Sequence, residues 1–486
     1  MRNEVTGNPH SRCWQTNSII RSTLTLALAD SRTQRVFTLC ALYFAQGVPW
    51  GFMTITMANY LSGMGLSTER VGALTAFALL PWTFKIIWAP VIDSLQFKGF
   101  GRRRPWIVLA QLLMAITLIG IYFAVPHMEG EDLDVERSAD LLLWVFFIHN
   151  VFVVLQDVVS DALAVDILTD SEQGAVNGAM WASKLLGTSA GAAVLASVMN
   201  QYGIQGAVAA QVVILLLIML VPLLLVERKG DKRFPWDLYQ PNEQMTGAPT
   251  GHRNVVSIVH DVIRGFSMRT TMAFFLLVLL SLIGWGVMET ILKTICNQKI
   301  GWSSTHTSHV MGYAGIPEAI SAVICGFLGD RFGRKKMMVF GMGGYGLVSI
   351  LFAMSSDYWG YSYPTDWAAD GYWDNHIVWS YAVGYKILLA AFVVNYLAES
   401  MALSWTQSSA TMFTIFMTLS NVGHVVGNLI AGKVEALFGD VHAFTAMGIL
   451  NIAILGLLVY VRREDVLERI EKEAAEGLEQ AIEVSG

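Results

Sequence analysis

Charge is what this chain has least of. Only 14% of its 486 residues are Asp, Glu, Lys or Arg, against roughly 25% in soluble domains. Its length alone would allow three soluble domains, and the scarcity of charge excludes them. Cysteine is almost missing as well. Cys13, Cys40, Cys296 and Cys325 show no CxxC spacing, so neither a disulfide framework nor a metal centre is expected. No nucleotide-binding loop, nucleophile–base constellation or metal-ligand motif occurs, and no cofactor or nucleic-acid partner is implied. The net charge of −6 says little until the charges are placed.

What is abundant is hydrocarbon. Hydrophobic residues make up 54% of the chain, and they fall into runs of bilayer length, about 20 residues each at 1.5 Å per residue. Turn residues and charges break these runs into twelve expected spans. They lie near 35–60, 66–90, 105–125, 140–165, 174–199, 204–226, 269–296, 305–328, 337–355, 376–399, 408–434 and 440–461. An even count puts both termini on one side. With the tails and alternate loops inside, 24 of the 32 Lys and Arg are cytosolic; only Arg70, Arg137, Lys299 and Lys433 lie opposite. The remaining four, Lys85, Lys184, Lys293 and Lys386, sit within spans. By the positive-inside rule both termini are cytoplasmic.

The expected organisation is a tail over 1–34, a six-helix bundle over 35–226 and a cytosolic linker over 227–268 ending in an amphipathic helix. A second bundle over 269–462 and an acidic tail over 463–486 follow. The halves echo each other. WAPVIDSLQFKGFGRRRP (Trp88–Pro105) and CGFLGDRFGRKKM (Cys325–Met337) both read acid, glycine, basic cluster in a tight cytosolic turn, at the same place in each half. A parallel repeat of six helices predicts this.

That repeated loop resembles the signature loop of the major facilitator superfamily. Within it, YFAQGVPWG (Tyr43–Gly51), FKIIWAPVID (Phe84–Asp93), GRRRPW (Gly101–Trp106), QDVVSDALAVDIL (Gln156–Leu168) and SEQGAVNGAMWASKLLG (Ser171–Gly187) resemble the AmpG-type muropeptide permeases, close to the acetyl-CoA transporter group. The resemblance implies an all-α fold of twelve transmembrane helices in two pseudo-symmetric bundles. It further implies a monomeric inner-membrane permease in a lipid bilayer, importing anhydro-muropeptides with protons by alternating access. A coenzyme A thioester or a pterin-like anion is the alternative solute. The second half departs from the family at Asn395–Ser404, where a glycine-rich run is missing from span ten.

In such a fold spans one, four, seven and ten line a central cavity, which focuses attention on their polar residues. A carboxylate in the hydrocarbon costs about 2.5–3.5 kcal/mol on insertion scales, so it faces protein or water. Asp157 and Asp161 lie within span four, and Asn150 shares their face at helical spacing. Asp157 lies ~24 Å from the outer end of its span and Lys85 ~27 Å down span two. A Lys85–Asp157 or Lys85–Asp161 pair is therefore expected near the cytosolic gate, with Asp166 as an interfacial cap.

Lys184, in span five, either meets an anionic solute or pairs with a span-four acid. Glu289 and Lys293 stand i, i+4 and satisfy one another. Gln46, beside Gly47 and Pro49, Lys386 and Asn395 complete the cavity candidates. Asp157, Asp161, Glu289 and Glu318 are the proton-site candidates. Lys85, Asp93, Arg102, Asp330 and Arg334 are the gate and ion-pair candidates. His149 and His424 read as satisfied interior histidines. A magnesium-dependent prenyltransferase would need two acid clusters to chelate a diphosphate, and Asp157, Asp161 and Asp166 have no second cluster to match.

Overall fold

A computed structural model describes residues 27–88, 91–92, 100–124, 135–168, 170–228, 231–232, 263–358, 376–404, 409–462, 464–465 and 468–469. The described residues contain no strand. Ten helices are long and apolar enough to cross a membrane. Val176–Leu224 is really two, because Gly203 turns the chain at φ 71 and ψ −179. Thr68–Leu79, prolonged by the 3-10 stretch Leu80–Ile87, makes the twelfth. Pro81 has no N–H to give to the turn before it, which suits this tightening.

In chain order the spans are α1 (Arg32–Gly63), α2 (residues 68–87), α3 (Arg104–Ala124), α4 (Val135–Ile167), α5 (residues 170–202) and α6 (residues 204–224). The second half repeats them as α7 (Arg269–Lys299), α8 (Ser304–Phe332), α9 (Arg334–Met354), α10 (His376–Leu403), α11 (Ser409–Phe438) and α12 (Asp440–Tyr460). The side where α1 begins and α12 ends is called the base, and the opposite side the far face. Asp93 and the acidic tail beyond Arg469 lie outside the described residues, as does the linker helix before Ile263.

The repeat keeps a constant separation of 236 residues (301 − 65). Gly65 and Gly301 enter α2 and α8 at φ 92 and 83, and Gly203 and Gly439 reverse the chain at φ 71 and 79. Ser67 and Ser303 cap α2 and α8, accepting from the amides of Arg70 and His306. Pro81 and Pro317 follow at the same distance.

Glycine also sets how closely the helices pack. A Cβ on Gly47 would lie 2.1 Å from the Lys184 carbonyl, and one on Gly51 would lie 2.0 Å from that of Thr188. From the other side, a Cβ on Gly187 or Gly191 would lie 2.4 or 2.1 Å from the carbonyl of Phe44 or Val48. This is a small-xxx-small seam between α1 and α5. Its counterpart joins α7 to α11, where a Cβ on Gly286, Gly423 or Gly427 would lie 2.6, 2.7 or 2.3 Å from the carbonyl of His424, Leu279 or Ile283.

The π-helical turns Phe52–Met57 and Ala190–Val194 lie just beyond the first seam. The Thr56 hydroxyl donates into the carbonyls of Gly191 and Ala192, at 2.9 and 3.1 Å. Apolar side chains form separate cores in the two halves. They merge only where Ile55 and Ala192 reach into the second core and Val425 into the first.

Candidate functional site

Among the described residues, each half buries a cluster of charge within its spans. In the first, Asp157 of α4 stands between two ammonium groups, 3.6 Å from Lys85 Nζ of α2 and 3.7 Å from Lys184 Nζ of α5. All three side chains are buried or nearly so. In a low-dielectric interior an ammonium needs such a partner, and here one carboxylate serves two. One turn towards the base, Asp161 accepts a hydrogen bond from the Tyr43 hydroxyl of α1. Asp161 is thus held by a hydroxyl and Asp157 by cations.

Four aromatic rings surround the Lys184 ammonium. Trp82 lies 4.3 Å from it, Trp181 5.5 Å, Trp50 5.7 Å and Tyr43 6.0 Å. Ring faces attract a cation by their quadrupole, and the effect grows when water is excluded. Trp50 and Trp82 meet edge to face at 5.1 Å. The Trp82 indole donates to Asn150 Oδ1 at 3.2 Å, which fixes Asn150 against α2. Gln46 is fully buried, and among the described residues neither of its amide atoms has a hydrogen-bond partner.

These rings were the part that sequence reading missed. Tyr43 and Trp50 stand i, i+7 on α1, and Trp181 stands i, i+3 from Lys184. A search for aromatic residues at helical spacing from buried charges would have found them.

In the second half Glu289 of α7 holds Lys293 at 3.2 Å and His424 of α11 at 3.2 Å. His424 is stacked on Trp285, ring centroids 3.9 Å apart, so it belongs to the charge cluster rather than standing alone. His149, by contrast, stands apart from the charge, its Nδ1 2.8 Å from the Thr117 hydroxyl and its Nε2 buried with no hydrogen-bond partner among the described residues. Lys386 of α10 donates to Glu318 of α8 at 2.8 Å. Asn395 does not join this cluster. Its amide donates to the carbonyls of Cys325 and Ala391, and Gly329 packs on its Oδ1, so it ties α8 to α10.

The basic loops work locally. Arg334 sits 3.4 Å from Asp330 and donates to the Ala398 carbonyl at 2.7 Å. Asp166 is paired with Arg103 at 2.8 Å and with Arg102 at 4.0 Å. Glu227, just past α6, accepts from the amides of Arg103 and Arg104 at 2.8 and 3.2 Å, capping the entry to α3. Burial pushes its carboxyl above the usual range, and those two hydrogen bonds pull the other way.

Known proteins agree with this architecture. Residues 35–194 match the family described as acetyl-coenzyme A transporter 1, and residues 274–483 match the Major Facilitator Superfamily. A protein of Haemophilus influenzae, described only as uncharacterized, is 31% identical over 155 residues, 31% of this chain and 34% of that protein. This chain spans about a third or less of the length of the first curated relatives it matches. The anhydromuropeptide permease of Escherichia coli K12 is 22% identical over 444 residues, 88% of this chain and 80% of the permease. A crystal structure of a point mutant of the nucleoside transporter NupG superposes with a TM-score of 0.63 at 13% identity, covering 88% of this chain and all of that one.

The chain is a multi-pass, all-helical membrane protein with the fold of these transporters, and two stretches of it, 35–194 and 274–483, resemble transporter families. Along most of its length it is similar to the anhydromuropeptide permease.

Proposed function

We propose that this transporter carries an organic anion of the anhydro-muropeptide class into the cytosol together with protons, across an inner membrane, with the base and both termini cytoplasmic. The observation that carries the reading is the Asp157 carboxylate shared by Lys85 and Lys184 at 3.6 and 3.7 Å. Asp157 and Asp161 together balance the two ammonium groups, so a proton on Asp161 leaves a positive excess, and an incoming anion then competes with Asp157 for Lys184. The rings of Trp50, Trp82, Trp181 and Tyr43 around that ammonium offer apolar faces on which sugar rings stack.

Proton coupling follows from the unequal surroundings of the two acids. A proton on Asp157 would leave two ammonium groups facing each other, whereas a proton on Asp161 disturbs only its bond to Tyr43. Asp161 is therefore the carboxylate that takes the proton as the anion arrives. Glu289 and Glu318 are held by cations, and they keep the second half in register.

The similarity to the Escherichia coli permease supports the solute class. The match of residues 35–194 to the acetyl-coenzyme A transporter family supports a second reading, a coenzyme A thioester, because that stretch holds Lys85, Asp157 and Lys184. Uptake into proteoliposomes separates the two. Anhydro-muropeptide should accumulate under an inward proton gradient and stop when the gradient is collapsed. Accumulation of acyl-CoA alone would replace the first reading with the second, and flux indifferent to the gradient would remove proton coupling.

A further inference from the structure

The two halves are joined at the far face by a ring of uncharged polar side chains. Asn297 of α7 donates to Asn59 Oδ1 of α1 at 3.1 Å, and Asn59 donates to the Ser308 hydroxyl of α8 at 3.1 Å. The Thr307 hydroxyl donates to Asn297 Oδ1 at 2.9 Å. Gln298 adds two bonds across the same junction, to the carbonyls of Ser62 and Leu66 at 2.8 and 2.7 Å. Asn59, Thr307 and Ser308 are fully buried and Asn297 nearly so. Four polar side chains have been taken out of water and matched to one another across a boundary that a transport cycle has to open.

Two further features mark this ring as built for movement. Asn59 and Asn297 hold similar places, each at the far end of the first helix of its half. Asn59 follows the π-helical turn Phe52–Met57, and Asn297 lies within the π-helical turn Ile295–Lys299. Such turns leave carbonyls poorly paired and concentrate where helices work. Asn297 also lies four residues from Lys293 and eight from Glu289, on one face of α7. The Asn297 amide donates to the Lys293 carbonyl at 2.9 Å, and the Lys293 ammonium is held by Glu289, which also holds His424. A continuous polar file thus runs from the far face to the charge cluster of the second half.

We propose that Asn59 and Asn297, completed by Thr307 and Ser308, form the latch of the outer gate, and that Lys293 positions the latch by tying it to Glu289. The proposal rests on the transporter reading and on the far face being the outside; it is independent of the solute. The latch residues touch no solute and act on the balance between the closed and open far face. Breaking the Asn59–Asn297 bond populates the form open to the outside, and the lysine couples that opening to the charge cluster at mid-helix.

The test uses the full chain with Cys13, Cys40, Cys296 and Cys325 replaced by Ser and Ser62→Cys as reporter. Ser62 is fully buried beside the latch. A membrane-impermeant maleimide is applied from each face in turn. Labelling from the far face should be slow in this background, and about tenfold faster with Asn59→Ala or Asn297→Ala. The double variant should be faster by less than the product of the two single rises, since both remove the shared Asn59–Asn297 bond and each removes a further one, to Ser308 or to Thr307. Lys293→Met, which keeps the carbonyl and loses the ammonium, should give a rise of about threefold.

The same latch variants should lower KM for external solute without raising Vmax, because more of the protein already faces outward. A purely structural role would lower the melting temperature and leave KM alone. Unchanged labelling in both single variants of native melting temperature overturns the latch, and so does a rise seen only from the base. A failed muropeptide screen leaves the labelling result standing.

Discussion

The halves of this protein share a skeleton and differ in their centres. At positions 82 and 150 of the first half an indole meets a carboxamide, Trp82 donating to Asn150. At 318 and 386, the same positions 236 residues on (318 − 82), a carboxylate meets an ammonium, Glu318 holding Lys386. The first half carries its ions nearer the base, on Lys85 and Asp157, and surrounds a third, Lys184, with rings. The glycines of α5 and α11 are shared, whereas Gly47 and Gly51 of α1 correspond to Ile283 and Val287 of α7. Gly187 and Gly191 recur as Gly423 and Gly427, each pressed on a partner's carbonyl. Close backbone approach admits one residue type, whereas a buried polar pair admits any two groups that satisfy each other. The backbone frame is shared, while one half centres on ions ringed by aromatic faces and the other on ion pairs that tie its helices together.

The strongest way to break the comparison is Asp157→Asn. It leaves Lys85 and Lys184 without their shared anion, and losing one partner of a buried pair costs about 3–5 kcal/mol. Uptake in vesicles should fall by at least ~100-fold, the rate equivalent of nearly 3 kcal/mol, while the protein still inserts. Normal uptake at every pH would end the special status of the first centre.

Next comes the pair of the second half. Glu318→Gln or Lys386→Gln alone should destabilise by about 3 kcal/mol, read as a lower melting temperature in detergent. The double variant should recover most of it and transport within about threefold of the native protein. A double variant as inactive as Asp157→Asn would place the solute in both halves.

Smallest and most symmetrical is the seam test. Gly191→Ala and Gly427→Ala should each destabilise by about 1–3 kcal/mol through overpacking. Equal losses in the two would sharpen the view that the skeleton is shared, and a tolerated Gly427→Ala would break it.

Much of this was legible in the sequence. Charges in hydrocarbon have to pair, so Lys85, Asp157 and Lys184 announce each other once their depths along the spans are counted. The twelve spans and the repeated basic loop follow from runs of apolar residues and from Lys and Arg placement. What escaped depends on how helices face one another. The rings around Lys184 come from α1, α2 and α5, and only the Gly47–Gly187 seam brings α1 and α5 near enough for them to meet. Asn395 carries the same hydropathy whether it faces a cavity or a neighbouring helix, and it was the neighbour that claimed it. Asn59 and Asn297 give little signal for a related reason, since an uncharged amide scarcely interrupts an apolar run.

The glycine seams bear on mechanics. Helices welded backbone to backbone do not slide, because any shear drives a carbonyl into an α-carbon. Each half is then a stiff lever, and whatever work binding does is delivered where the levers touch rather than absorbed inside them. A drug seeking to jam this machine would do better wedged between the levers than lodged within either one.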